Sequence, residues 1–114
     1  MNWQKLIEVK SEFIKVGTVF RFPTYSYFSG ENIVEIMLCK TLSKSKIFEF
    51  FIISGYKSGH CFAFIPRNID TNGDHIRLSW LLKNWYVYVD PMSNLNDVYI
   101  FRRKENNTLF SLKR

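Results

Sequence analysis

The sequence predicts an α+β domain. It consists of an N-terminal amphipathic helix packed on a curved, mainly antiparallel sheet of about six strands, with room for one further short helix. Three observations carry this reading. Residues 2–15 place Trp3, Leu6, Ile7, Val9, Phe13 and Ile14 within one half of a helical wheel. After Gly17 the apolar residues alternate with a period of two. The connections between apolar segments are short, which favours antiparallel neighbours because a parallel crossover needs about a dozen residues.

The elements follow in order. Gln4, Lys5, Glu8, Ser11, Glu12 and Lys15 fill the polar arc of the predicted helix. Lys5–Glu8 and Glu12–Lys15 are i,i+3 pairs of opposite charge, and Lys10 is the one charge inside the apolar arc. Gly17 stops the helix. Thr18 to Phe22 reads as a strand ended by Pro23. Thr24 to Gly30 is a loop with unusually large rings, Tyr25, Tyr27 and Phe28. Ile33 to Lys40 is a strand with Val34, Ile36 and Leu38 on one face and Glu35, Met37 and Cys39 on the other. Lys46 to Ser54 is apolar on both faces, the pattern of a central strand. Gly55-Tyr56-Lys57-Ser58-Gly59 is a turn bracketed by glycines, and His60 to Ile65 returns from it, closed by Pro66, as a hairpin. Residues 68–74 are dense in turn formers. His75 to Leu78 forms a short strand, and Ser79 caps a short helix through Asn84. Trp85 to Val89 alternates as a strand ended by Asp90-Pro91. Val98 to Arg103 and Thr108 to Leu112 flank Asn106-Asn107 as a second hairpin.

The 114 residues make a single domain, 1–114. A content of 46% hydrophobic and 18% aromatic residues excludes intrinsic disorder. Cys39 and Cys61 both lie in apolar runs and read as two free core thiols, not as a disulfide framework. No apolar signal segment follows Met1, and no apolar run approaches the length of a membrane span. The expectation is a soluble, cytoplasmic protein with no membrane partner.

The formal charge of +6 suggests nucleic acid until it is located. Arg102, Arg103, Lys104, Lys113 and Arg114 stand against Glu105 in the last fourteen residues, which leaves +4 there. The other hundred residues carry eleven basic and nine acidic groups, only +2. Arg102-Arg103-Lys104, flanked by Tyr99, Phe101 and Phe110, could track a backbone and stack bases. It reads better as a charged edge that discourages sheet-to-sheet pairing. A small basic RNA- or DNA-binding module using the C-terminal Arg/Lys-rich hairpin is therefore the alternative function, and nucleic acid is not the expected partner.

Catalytic and metal chemistry find little support. Gly55 to Gly59 lacks the upstream glycine of a phosphate loop and sits in a hairpin. Asp70-Thr71-Asn72-Gly73-Asp74 has no bidentate Glu at calcium-loop distance. His60 and His75 with Lys57 and Arg77 would make a nuclease-like cluster only if the fold brought them together. No enzyme activity, cofactor or metal is expected.

One stretch carries a resemblance. Trp80-Leu81-Leu82-Lys83-Asn84-Trp85, Tyr88-Val89-Asp90-Pro91 and Asp97-Val98-Tyr99-Ile100-Phe101 resemble the small tryptophan-containing bacterial immunity proteins of polymorphic or contact-dependent toxin systems, specifically immunity protein family 45. The resemblance covers most of the chain. It implies a non-enzymatic inhibitor that binds the C-terminal domain of a cognate toxin and blocks its active site or a neighbouring surface. Inhibitors of nuclease toxins are often acidic; this chain is basic, so its toxin would present acidic groups or be bound away from a phosphate cleft. The candidate toxin contacts are the loop aromatics Tyr25 and Tyr27, the hairpin tip Tyr56 and Lys57, the acids Asp70 and Asp74, and the cations Arg77, Arg102 and Arg103.

Overall fold

The computed structural model describes residues 2–24, 33–41, 46–55, 57–66, 71–72 and 75–102. Its elements are β1 (Gln4–Lys5), β2 (Phe13–Lys15), β3 (Val19–Pro23), β4 (Ile33–Lys40), β5 (Lys46–Ile52), β6 (Cys61–Pro66), β7 (Thr71–Asn72), β8 (His75–Arg77), α1 (Leu78–Tyr88) and β9 (Tyr99–Phe101). Short 3-10 turns occupy Leu6–Glu8 and Leu95–Asp97. One sheet has the order β1-β9-β3-β4-β5-β6 and a smaller one the order β2-β8-β7, and every pairing is antiparallel.

The N-terminal helix is overturned. Residues 2–15 are a strand, a 3-10 turn, an extended stretch and a second strand. Of the wheel's apolar residues, Leu6, Val9 and Ile14 are buried, whereas Ile7 is 43% exposed. Their backbone groups, however, are taken by distant partners. Gln4 and Lys5 pair with Ile100 and Tyr99, Leu6 N donates to Val98 O at 2.9 Å, and Phe13 to Lys15 pair with β8. A segment rich in Trp, Ile, Val and Phe has little helix propensity to set against that competition. Glu12 does not pair with Lys15; its carboxylate accepts from Arg77 Nη1 at 2.7 Å, joining β2 to β8.

The one α-helix among the described residues runs through a segment read partly as strand. Alternation of Trp85, Val87 and Val89 mimics period two, but the competing period is 78, 81, 85, 89. Leu78, Leu81, Trp85 and Val89 are buried, whereas Val87 is 75% exposed. A strand would have put Val87 beside Trp85. Ser79 is not the cap; the first helical N–H, that of Leu78, donates to Glu12 O at 2.9 Å. At the other end Val89 N and Asp90 N both donate to Trp85 O, at 2.8 and 3.1 Å, and Pro91 then forbids another turn.

The strands after Gly17 follow the alternation closely. Phe20 and Phe22 of β3, Val34, Ile36 and Leu38 of β4, and Phe48, Phe50 and Ile52 of β5 all face one buried side. Gly55 (φ 76°) and Gly59 (φ 94°) take the left-handed conformations that turn β5 into β6. The second hairpin is corrected in part. β9 lies between β1 and β3, so both its edges are occupied over Tyr99–Phe101. It is not the edge strand of a hairpin; Thr108 to Leu112 lie outside the described residues. The cysteines are free, but neither belongs to the core: Cys39 is half-buried and Cys61 exposed.

The inner face of the large sheet meets α1 and the small sheet in one hydrophobic cluster. Trp85, fully buried, lies 5.8 Å from the Phe20 ring and 5.3 Å from Phe22. Its indole Nε1 donates to Ser93 Oγ at 2.8 Å. Beside it Asp90 is buried and accepts from Thr24 Oγ1 at 2.8 Å and from Met92 N at 3.0 Å. This polar knot ties the end of β3 to the end of α1. Trp85→Ala is expected to cost about 3–5 kcal/mol in urea unfolding, since it opens a large cavity and removes the indole donor from Ser93. Thr24→Val, nearly isosteric, is expected to cost about 1–3 kcal/mol by removing one buried hydrogen bond. A loss under about 0.5 kcal/mol in the second variant would show that the knot contributes little.

Candidate functional site

The outer face of the large sheet is where the fold leaves chemistry exposed. Antiparallel sheets with one solvated face normally alternate apolar-in with polar-out. Here the outward positions include Met37, Phe51, Phe64, Phe101, both cysteines and a buried Val19. The register aligns two rows across the strands. One runs Lys5, Tyr99, Arg21, Glu35, and the other runs Phe101, Val19, Met37, Phe51, Cys61.

At the β1–β9–β3 corner the face becomes a groove of about 450 Å³ lined by Trp3, Arg21, Phe22, Pro23, Ile33, Asp97 and Tyr99. The Arg21 guanidinium lies 5.5 Å from the centre of the Trp3 ring, a cation–π arrangement. Trp3 in turn leans on Phe101 at 5.8 Å. Arg21 Nε reaches Glu35 Oε2 at 3.7 Å, a loose ion pair at the surface. Tyr99 and Ile33 are 38% and 46% exposed. Trp, Tyr and Arg around a concave apolar floor are the side chains that dominate protein–protein contacts.

The residues singled out from the sequence are scattered. Tyr25, Tyr27, Tyr56, Asp70, Asp74 and Arg103 lie outside the described residues. Lys57 sits in the β5–β6 turn, where its carbonyl accepts from His60 N at 3.2 Å. Arg77 is held by Glu12 and stacked over the Phe13 ring at 5.0 Å. Arg102 follows β9, with Nη2 donating to Gln4 Oε1 at 3.4 Å. Lys57 and Arg102 thus sit near opposite edges of the large sheet, and Arg77 belongs to the small one. Of the three, only Arg102 is at the groove's end of the molecule. Of the groove residues, Trp3, Arg21 and Asp97 were not foreseen as contacts, and Tyr99 was named only as a base-stacking flank of the C-terminal cluster. Reading Trp3 as a buried helix residue hid it, although the outward alternation of Tyr99 and Phe101 about Ile100 was available.

The cluster imagined for nuclease chemistry does not assemble as a unit. His60 and Lys57 belong to the β5–β6 turn, whereas His75 and Arg77 are on β8, with His75 edge-on to Phe13 at 5.8 Å. Cys39 faces Glu49 across β4–β5. Burial first, and the Glu49 charge second, push its thiol pKa up, so the thiolate nucleophile is disfavoured at neutral pH. No helix among the described residues is long and apolar enough to cross a membrane.

No curated protein and no solved structure matches the chain. The family model for Immunity protein 45 matches residues 6–100, from the turn that carries Leu6 into β9. The match covers β2 to β8, α1, the Trp85–Asp90 knot and β9 as far as Ile100, leaving β1 outside it, and on it the chain belongs to the Immunity protein 45 family.

Proposed function

We propose that the protein is the cytoplasmic immunity partner of a bacterial toxin, neutralising the toxin's C-terminal effector domain by direct binding. The observation that carries this reading is the family match over residues 6–100. The exposed aromatic face agrees with it, because a surface that binds a protein has reason to keep Trp, Tyr and Phe outside the core. The system would be of the polymorphic or contact-dependent kind, in which inhibitor and toxin are encoded side by side.

Inhibition would be steric, by occlusion of the active site or of a surface next to it, and would involve no turnover and no cofactor. Of the contacts expected from the sequence, Arg102 remains a proposed toxin contact near the groove, and Arg103 keeps the standing of a sequence-based proposal. Lys57 is proposed only as a contact at the far edge. Arg77 is a weaker choice, because Glu12 and Phe13 already occupy its guanidinium. Tyr25, Tyr27, Tyr56, Asp70 and Asp74 keep the standing of sequence-based proposals.

The nucleic-acid alternative has lost ground. It relied on a two-stranded basic hairpin, and β9 is instead flanked on both sides within the sheet.

Two measurements test the main reading. Co-expression with the effector domain of the neighbouring toxin gene should restore growth, and the two chains should co-purify with a Kd in the nanomolar range or tighter. Absence of both rescue and complex would refute it. Titration of toxin activity should reach full inhibition at one equivalent of this protein. Full inhibition at a small fraction of an equivalent would point to an enzyme that modifies the toxin.

A further inference from the structure

We propose that the Trp3–Arg21–Tyr99 groove is the anchor site for the toxin, and that it takes a toxin segment carrying an apolar side chain next to an acidic one. This rests on the immunity reading and adds to it a surface and a partner chemistry.

The shape argument comes first. A concavity of about 450 Å³ is ample for one large side chain and its flanking backbone. Pro23 and Ile33, paired across β3 and β4, give it an apolar wall, with Ile33 left 46% exposed. Burying such a wall and one aromatic guest is what an interface hot spot does.

Charge selects the guest. Lys5, Tyr99 and Arg21 stand side by side on three adjacent strands, so two cations flank one exposed tyrosine. Strand spacing puts their backbones within roughly 10 Å of each other. Arg21 spends Nε on Glu35 at 3.7 Å, well beyond the length of a strong charge-assisted bond. Its two Nη groups keep four N–H donors in the fork geometry that grips a carboxylate. Asp97 lines the groove as well, so a guest carboxylate is steered towards Arg21 and Lys5 and away from Asp97. At longer range the +6 of the whole chain attracts an acidic partner and repels a second copy. Asp97, Glu35 and the apolar wall also make poor company for a phosphate backbone.

The test uses the intact protein and, as probe, the purified effector domain of the neighbouring toxin gene, inactivated by mutation. Affinity is read by calorimetry at low and high salt. Tyr99→Ala should weaken binding about thirtyfold, and Arg21→Glu should weaken it at least as much. Val87→Asp, on the exposed side of α1, should stay within about twofold. Wild-type affinity should fall about tenfold or more between 50 mM and 500 mM NaCl, and Arg21→Glu should flatten that dependence. Unchanged melting temperatures establish that the variants are folded; should Tyr99→Ala melt early, Ile33→Asp probes the same wall. Tight wild-type binding that Tyr99→Ala and Arg21→Glu leave intact would overturn the groove while leaving the immunity function standing. Loss of binding in Tyr99→Ala without salt dependence would overturn the acidic guest. A self-associated protein that Tyr99→Ala renders monomeric would assign the groove to a second copy and overturn the proposal. No binding by the wild type at any salt would remove the immunity reading itself.

Discussion

The packing of Trp85 between the large sheet and its own helix end is the constraint on which the rest of this fold depends. Its ring fills the space over Phe20 and Phe22, and its indole N–H is committed to Ser93. Burying an aromatic of this size is worth roughly 4–6 kcal/mol of apolar transfer as an upper estimate, a large share of the stability of a small domain. That ring can reach β3 only if α1 ends where it does. Asp90 fixes that ending by receiving Thr24 from the strand and Met92 N from the following turn. The chain then turns through Ser93 and the Leu95–Asp97 turn and delivers β9 into the sheet beside β3. Helix position, turn and strand insertion are thus consequences of one buried contact and its polar border.

Much of the sheet was legible from alternation alone, because β3, β4 and β5 each bury one face and cannot slip by a residue without exposing it. The hairpin at Gly55 and Gly59 was legible because its two left-handed residues are glycines. Two things were not. Residues 2–15 carry a helical spacing of apolar side chains, yet Leu6, Val9 and Ile14 reach the core from extended backbone and short turns. Spacing along the chain cannot tell these apart when the hydrogen-bond partners lie near residues 76 and 100. Residues 85–89 posed the reverse problem, since β-branched and aromatic residues alternate there inside a helix. The fate of Val87 depends on a face that only tertiary packing defines. The site was missed for the same reason: Trp3, Arg21 and Tyr99 come together only through the β1–β9–β3 order, which no local pattern reports.

The contrast between the two faces of the large sheet is informative about function. The inner face is covered by α1 and the small sheet and is apolar apart from Gln4 and Lys40 near strand ends. The outer face carries Met37, Phe51, Phe64 and Phe101 interleaved with Arg21, Glu35 and Glu49. Surfaces that bind proteins combine apolar area with sparse charge in this way. Arg102 follows β9 directly and ties it to β1 through Gln4 at 3.4 Å.

The insertion of β9 between β1 and β3 also orders events in time. Gln4 pairs with Ile100, and Glu12 with Arg77, so the first strands find their partners only near the far end of the chain. Such pairings close long loops before they return any binding energy, which slows folding relative to a hairpin meander. During synthesis β3 to β6 can assemble as consecutive hairpins, while the β1–β9–β3 corner must wait for residue 101. The groove built on that corner is therefore completed only after the β3–β6 hairpins can form. A toxin contact at that groove would in this way wait for the far end of the described chain.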